Sequence, residues 1–109
     1  MPTPEQQKEL ILPLLFELGF VSAYEGRRYD LHQEGYSWCI HLSPMTPLPH
    51  SERDPPYLSG FIRRMDREAD WGWHINADDP LRDFTDHLRR YEFPVDAILR
   101  TKRLEALLA

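Results

Sequence analysis

The sequence predicts an α+β fold: an antiparallel sheet of about five strands, with one N-terminal and two C-terminal helices packed mainly on one face. Three observations predict it. Two Glu-Gly turn signals, Tyr24-Glu25-Gly26-Arg27 and Gln33-Glu34-Gly35-Tyr36, stand nine residues apart between alternating apolar residues. A second pair of alternating runs follows at 57–65 and 70–76. Apolar residues at helical spacing occur only before the first of these runs and after the last.

The first helix starts at Thr3-Pro4-Glu5-Gln6. Thr3 caps it, Pro4 suits the first helical position, and Gln6 completes a capping box. Leu10, Ile11, Leu14, Leu15 and Leu18 then share one helical face. Pro13 interrupts this helix, because its ring clashes with the Glu9 carbonyl and predicts a kink. Gly19 is the stop.

A three-strand meander follows, at 20–24, 27–33 and 36–42. A two-residue turn at Glu34-Gly35 pairs Leu31 with Trp38 and Tyr29 with Ile40. A three-residue loop would set Asp30 against Trp38, which is poor chemistry for a core, so the shorter turn is preferred. The first turn stays open. Glu tolerates positive φ badly, and a type I turn with a bulge at Gly26 competes with a two-residue turn. That choice decides whether Phe20, Ser22 and Tyr24 or Val21 and Ala23 face the core.

Five of the ten prolines lie between Ser43 and Pro56, which predicts an irregular segment there. Pro44-Met45-Thr46-Pro47 has PxxP spacing. A stiff crossover between two hairpins is the preferred reading of the segment. In the second hairpin, the loop Asp66-Arg67-Glu68-Ala69 sets Ile62 against Trp73 and Gly60 against Ile75. It also sets Arg64 across the ring of Trp71. Phe61, Arg63, Gly72 and His74 share the opposite face, where Gly72 leaves a flat gap. The Trp71-Gly72-Trp73 triplet reads as core filling in preference to a stacking platform.

Asp78-Asp79-Pro80 starts the next helix, with an Asp cap and Pro in the first turn. Leu81, Phe84, Leu88 and Tyr91 form its apolar stripe, and Phe93-Pro94 breaks it. The last helix runs from about Pro94 to Leu108. Val95, Ile98, Leu99, Leu104, Leu107 and Leu108 are its candidates for burial. The last three leave the stripe of the others, which gives a second reading, a homodimer or partner contact through the helix end. A core role is preferred.

At 109 residues the chain is one domain, and its 41% apolar share suffices for one core. A net charge of −5 opposes nonspecific binding to nucleic acid or an anionic membrane and suits a basic protein partner. The single Cys39 excludes an internal disulfide and fits a reducing compartment. Met1-Pro2-Thr3-Pro4 has neither the basic nor the apolar region of a signal peptide, and no apolar run reaches membrane-spanning length. A soluble cytoplasmic protein is the expectation.

Alternation puts Cys39 and His41 on one face, with Asp30 opposite Cys39 and Arg28 opposite His41. His74 joins them only if the two hairpins are neighbours in the correct offset. Cys39, His41, His74 and Asp30 would make a zinc set, or a Cys nucleophile with a His base and an Asp orienter. There is no CxxC, HExxH, GxSxG or phosphate-binding Gly-rich loop. A lone strand cysteine is most often a small packed residue. The Arg pairs are interrupted by Asp and Glu, so a mixed-charge surface is preferred over a single-strand nucleic-acid site. The expectation is therefore a non-catalytic protein-binding module without cofactor: an acidic adaptor, inhibitor or immunity-type protein. Its partner-binding candidates are Pro44, Met45, Pro47, Leu48, Pro49, Tyr57 and Phe61. The alternative is a metal-assisted or Cys-dependent enzyme built on the Cys/His/Asp set.

Overall fold

The computed structural model describes residues 2–33, 36–45, 56–66, 70–75 and 78–109. Helix α1 (Pro4–Leu18) opens with the predicted capping box. The Thr3 hydroxyl accepts from the Gln6 N–H at 3.2 Å, and the Gln6 side chain accepts from the Thr3 N–H at 2.8 Å. The helix continues through Pro13, so the proline does not end it. Pro13 and Glu9 are both exposed, so the carbonyl that proline releases lies on the solvent side of the helix. Ile11, Leu14, Leu15 and Leu18 are buried, but Leu10 is exposed and Gln7 takes an inward position instead. The Gln7 amide donates to the Pro2 carbonyl at 3.0 Å. Gly19 ends the helix at φ +103°.

Strands β1 (Val21–Ala23), β2 (Arg28–Gln33), β3 (Tyr36–Met45), β4 (Tyr57–Arg64) and β5 (Asp70–Ile75) form one antiparallel sheet in the order β1-β2-β3-β4-β5. Every strand pairs with the next one along the chain. The expected crossover between two hairpins is therefore a long hairpin connection between adjacent strands. Strand β3 also outruns its expected end. Ser43 pairs with Ser59, Pro44 with Leu58 and Met45 with Tyr57, so the segment expected to be irregular begins as strand. Pro47, Leu48, Pro49 and the second half of the PxxP spacing lie outside the described residues.

The β2–β3 register is the predicted one, with Leu31 opposite Trp38 and Tyr29 opposite Ile40. In the first hairpin Ala23 pairs with Arg28, so residues 24–27 make the connection. Tyr24, Glu25 and Gly26 stand at φ +50°, +58° and +81°. Glu25 thus occupies the left-handed region that its side chain disfavours. The Gly26 carbonyl anchors this turn, accepting from the Tyr29 hydroxyl at 2.9 Å and from Lys8 Nζ at 2.8 Å. Phe20, just before the first strand, is buried, whereas Ser22 and Tyr24 of the same alternating set are exposed together with Val21, and Ala23 is half-buried, so neither set as a whole enters the core.

One face of the sheet is the core face. Tyr29, Leu31, Trp38, Ile40, Leu42, Leu58, Ile62, Trp73 and Ile75 are buried there in one cluster with the inward side chains of all three helices. The β4–β5 register differs from expectation by two residues. Gly60 faces Trp73, Ile62 faces Trp71 and Leu58 faces Ile75. Arg64 pairs with Trp38 in register and bonds to Asp66 at 2.7 Å, so it is not set opposite Trp71. The physical reason is at Gly60. A Cβ there would stand 3.0 Å from two atoms of the Trp73 indole, so the ring lies where only glycine leaves room. The even slip keeps every side chain on its expected face.

Helix α2 (Pro80–Arg90) is capped by Asp79, whose carboxylate accepts from the Arg82 N–H at 3.2 Å. Phe84 and Leu88 are buried as expected, whereas Leu81 is exposed and Pro80 buried in its place. The helix covers Trp73, whose ring meets Phe84 at 5.9 Å and stacks on His87 at 5.4 Å and Tyr91 at 5.9 Å. A bidentate pair from Arg89 to Asp96, both contacts at 2.9 Å, fixes the corner to helix α3 (Val95–Leu108). Val95 is buried, and Ile98 and Leu99 pack on the cluster. Leu104, Leu107 and Leu108 are exposed, Leu107 by 82%, so the core role expected for them is not what they have.

Two predictions arise from this packing. Gly60→Ala pushes a methyl into an indole held from above by α2, and should lower unfolding free energy in urea by about 1–3 kcal/mol. Unchanged or increased stability would contradict the packing. Burial pushes the His87 pKa down, with the Asp83 carboxylate opposing at 3.6 Å. The unfolded chain then takes the proton more readily, so this contribution to stability is lost as pH falls through the ordinary His value of about 6.5. His87→Gln should flatten the stability curve between pH values of about 7.5 and 5 relative to wild type. Parallel curves would contradict it.

Candidate functional site

The second face of the sheet is covered by none of the three helices. Strand alternation gives it a grid of side chains. Asp30, Cys39 and Arg63 form one row across β2, β3 and β4. Arg28, His41, Phe61 and Gly72 form the next. Ser43, Ser59 and His74 form a third, and Met45 with Tyr57 a fourth.

Two ring stacks organise this face. His41 lies on Phe61, with centroids 4.2 Å apart and planes 15° apart. His74 lies on Tyr57 at 4.1 Å and 23°. The first is a direct cross-strand pair and the second a diagonal one. The small residues Ser59 and Gly72 sit on the other diagonal. There the surface sinks into an open hollow of about 490 Å³, bordered by Ser59, Phe61, Gly72 and His74. The Tyr91 hydroxyl reaches the Gly72 carbonyl at 3.4 Å and steadies the edge strand beneath the hollow. Away from it, Arg28 pairs with Asp30 at 2.7 Å.

Of the partner-binding candidates, Met45, Tyr57 and Phe61 meet on this face. Pro44 alternates to the other face, and Pro47, Leu48 and Pro49 are outside the described residues. The Cys/His/Asp set is brought together only in part. Asp30, Cys39 and His41 are neighbours, but His74 is two strands from Cys39 with β4 between them. Among the described residues, no three His, Cys, Asp or Glu side chains are grouped to hold a metal ion. Cys39 is 4% exposed. Burial pushes its thiol up to about 11; Arg28 and Arg63 oppose the shift and Asp30 adds to it. A nucleophilic cysteine needs the reverse shift. Several arginines are likewise committed to carboxylates, Arg89 to Asp86 and Asp96, and Arg103 to Glu17.

Strand alternation put Asp30, Cys39, His41, Phe61, Gly72 and His74 on this face, but it gave no face to Met45 or Tyr57 and neither ring stack. Each stack needs a specific register between strands, β3 with β4 for one and β4 with β5 for the other. The flat gap at Gly72 was visible as a lone glycine between two large side chains. No helix among the described residues is long and apolar enough to cross a membrane. No protein-family model matches the chain, and no curated protein or solved structure matches it.

The state of Cys39 is open to a direct check. In native protein near neutral pH, a thiol-specific disulfide reagent should label it far more slowly than in urea-unfolded protein. Equal rates would contradict a buried, protonated thiol.

Proposed function

We propose that this protein is a non-enzymatic protein-binding module that uses the open face of its sheet, in the manner of a small acidic adaptor, inhibitor or immunity-type protein of the cytoplasm. The observation that carries this reading is the grouping of Met45, Tyr57, Phe61, His41 and His74 on a face that no helix covers. Aromatic and Met side chains are enriched at protein interfaces, and aromatic anchors supply much of the binding energy there. The net charge of −5 would speed encounter with a basic partner. A lone buried thiol suits a reducing compartment.

A second reading is self-association through the end of α3. Leu104, Leu107 and Leu108 are exposed there beside Arg100 and Arg103. One experiment separates the two readings. Wild type, Phe61→Asp and Leu107→Glu are used as baits in the native host, and each purified protein is sedimented over a range of concentrations. The open-face reading expects a partner retained by wild type and Leu107→Glu, with at least about 10-fold less recovered by Phe61→Asp. A partner lost only with Leu107→Glu, or a wild-type dimer dispersed by that change and no other partner, would favour the helix end and overturn the open-face reading.

A further inference from the structure

The hollow beside Gly72 has a feature that folding does not explain. Gly72 lies in an extended strand and outside the positive-φ region. A Cβ built on it would meet nothing closer than the Gly60 carbonyl oxygen at 3.7 Å and Phe61 Cβ at 4.0 Å. Both are ordinary contacts, so a β-carbon fits. Gly60 is the opposite case, since the Trp73 indole excludes a Cβ there. A strand glycine loses more chain entropy on folding than other residues and contributes no packing, and it often marks close approach by another group. Gly72 keeps open a space that the fold itself would allow to be filled.

The walls of that space define what fits. Phe61 and His74 stand on one diagonal of the grid, and Ser59 and Gly72 form the low floor on the other. Each wall is backed by a second ring, Phe61 by His41 and His74 by Tyr57. That backing holds both walls in place before anything binds. We propose that the hollow is an anchor site for an aromatic side chain of a partner protein, whose ring enters between Phe61 and His74 over Gly72. This inference rests on the open-face reading and names the chemistry of its anchor.

Two observations favour a ring carried on a protein. The hollow is wide open to solvent, whereas sites for free small molecules enclose about 70–90% of the ligand surface. A ring carried on a larger body gains its remaining contacts elsewhere on the face. The net charge of −5 opposes a nucleic-acid strand as the carrier.

The test titrates N-acetyltryptophanamide into labelled protein and follows backbone and ring NMR signals, with N-acetylleucinamide as control. The expected result is saturable, weak binding of the aromatic probe with shifts at Phe61, Gly72 and His74, and none with the leucine probe. Gly72→Val and, independently, Ser59→Leu fill the hollow from β5 and β4. Each should keep the wild-type pattern of backbone signals and weaken probe binding by about 10-fold or more. Either filled variant that stays folded is sufficient to decide. No saturable shift at these residues, equal shifts with the leucine probe, or undiminished binding by a folded filled variant would overturn the anchor site. If the anchor fails while Phe61→Asp still loses its cellular partner, the open-face reading survives. If Phe61→Asp keeps the partner, that reading fails whatever the probe does.

Discussion

The contact between Gly60 and the Trp73 indole sets the architecture of this protein from β4 onward. A tryptophan side chain needs a large space, and a glycine as cross-strand neighbour lets its ring lie flat across the next strand. Gly60 is that neighbour on the core face. Once Trp73 lies across it, Phe84, His87 and Tyr91 close over the ring and α2 is fixed on the sheet. The same register determines the other face. With Gly60 opposite Trp73, Phe61 stands opposite Gly72 and the hollow exists. A slip of two residues would bring Phe61 directly opposite His74 and set Gly72 against Arg63, and the hollow would disappear. A packing contact inside the core thus decides the shape of the binding face outside it.

The two glycines divide the work. Gly60 is demanded by its neighbour, and Gly72 is tolerated by its surroundings without being demanded. That difference separates a glycine that serves folding from one that the fold leaves free for another use. The Cys/His/Asp set is brought together only in part. Its cysteine is buried and protonated, and its second histidine is stacked on Tyr57 two strands away. His41 and His74 each stack on an aromatic ring of the face, and of the two only His41 neighbours the thiol.

Much of the fold was legible because its signals are local. The Thr3–Gln6 capping box, the Gly19 stop, the Asp79 cap and the Leu31–Trp38 register each depend on a few adjacent residues and a strong steric or polar preference. What was not legible depends on residues far apart in the chain. The adjacency of β3 and β4 spans the Pro-rich segment, and no turn signal fixes it. Glu25 stands in a left-handed conformation next to the Gly26 carbonyl, which Lys8 of α1, eighteen residues away, helps to hold, and the turn alone does not contain that donor. The β4–β5 register follows the fit of Trp73 over Gly60, a contact between two strands that the length of the loop joining them does not encode. The candidate site inherits both gaps: alternation places Phe61, Gly72 and His74 on one face, but the stacks and the hollow require the β3–β4 and β4–β5 registers.

The most direct test of this account is the NMR environment of Gly60. In the register described, one of its α-protons takes the place of the Cβ that the Trp73 indole excludes. That proton should be shifted upfield by the ring current and show nuclear Overhauser contacts to the Trp73 ring protons. A Gly60 α-proton at an ordinary shift, with contacts to the Ile75 side chain instead, would show the slipped register and contradict both the core packing and the hollow that depends on it.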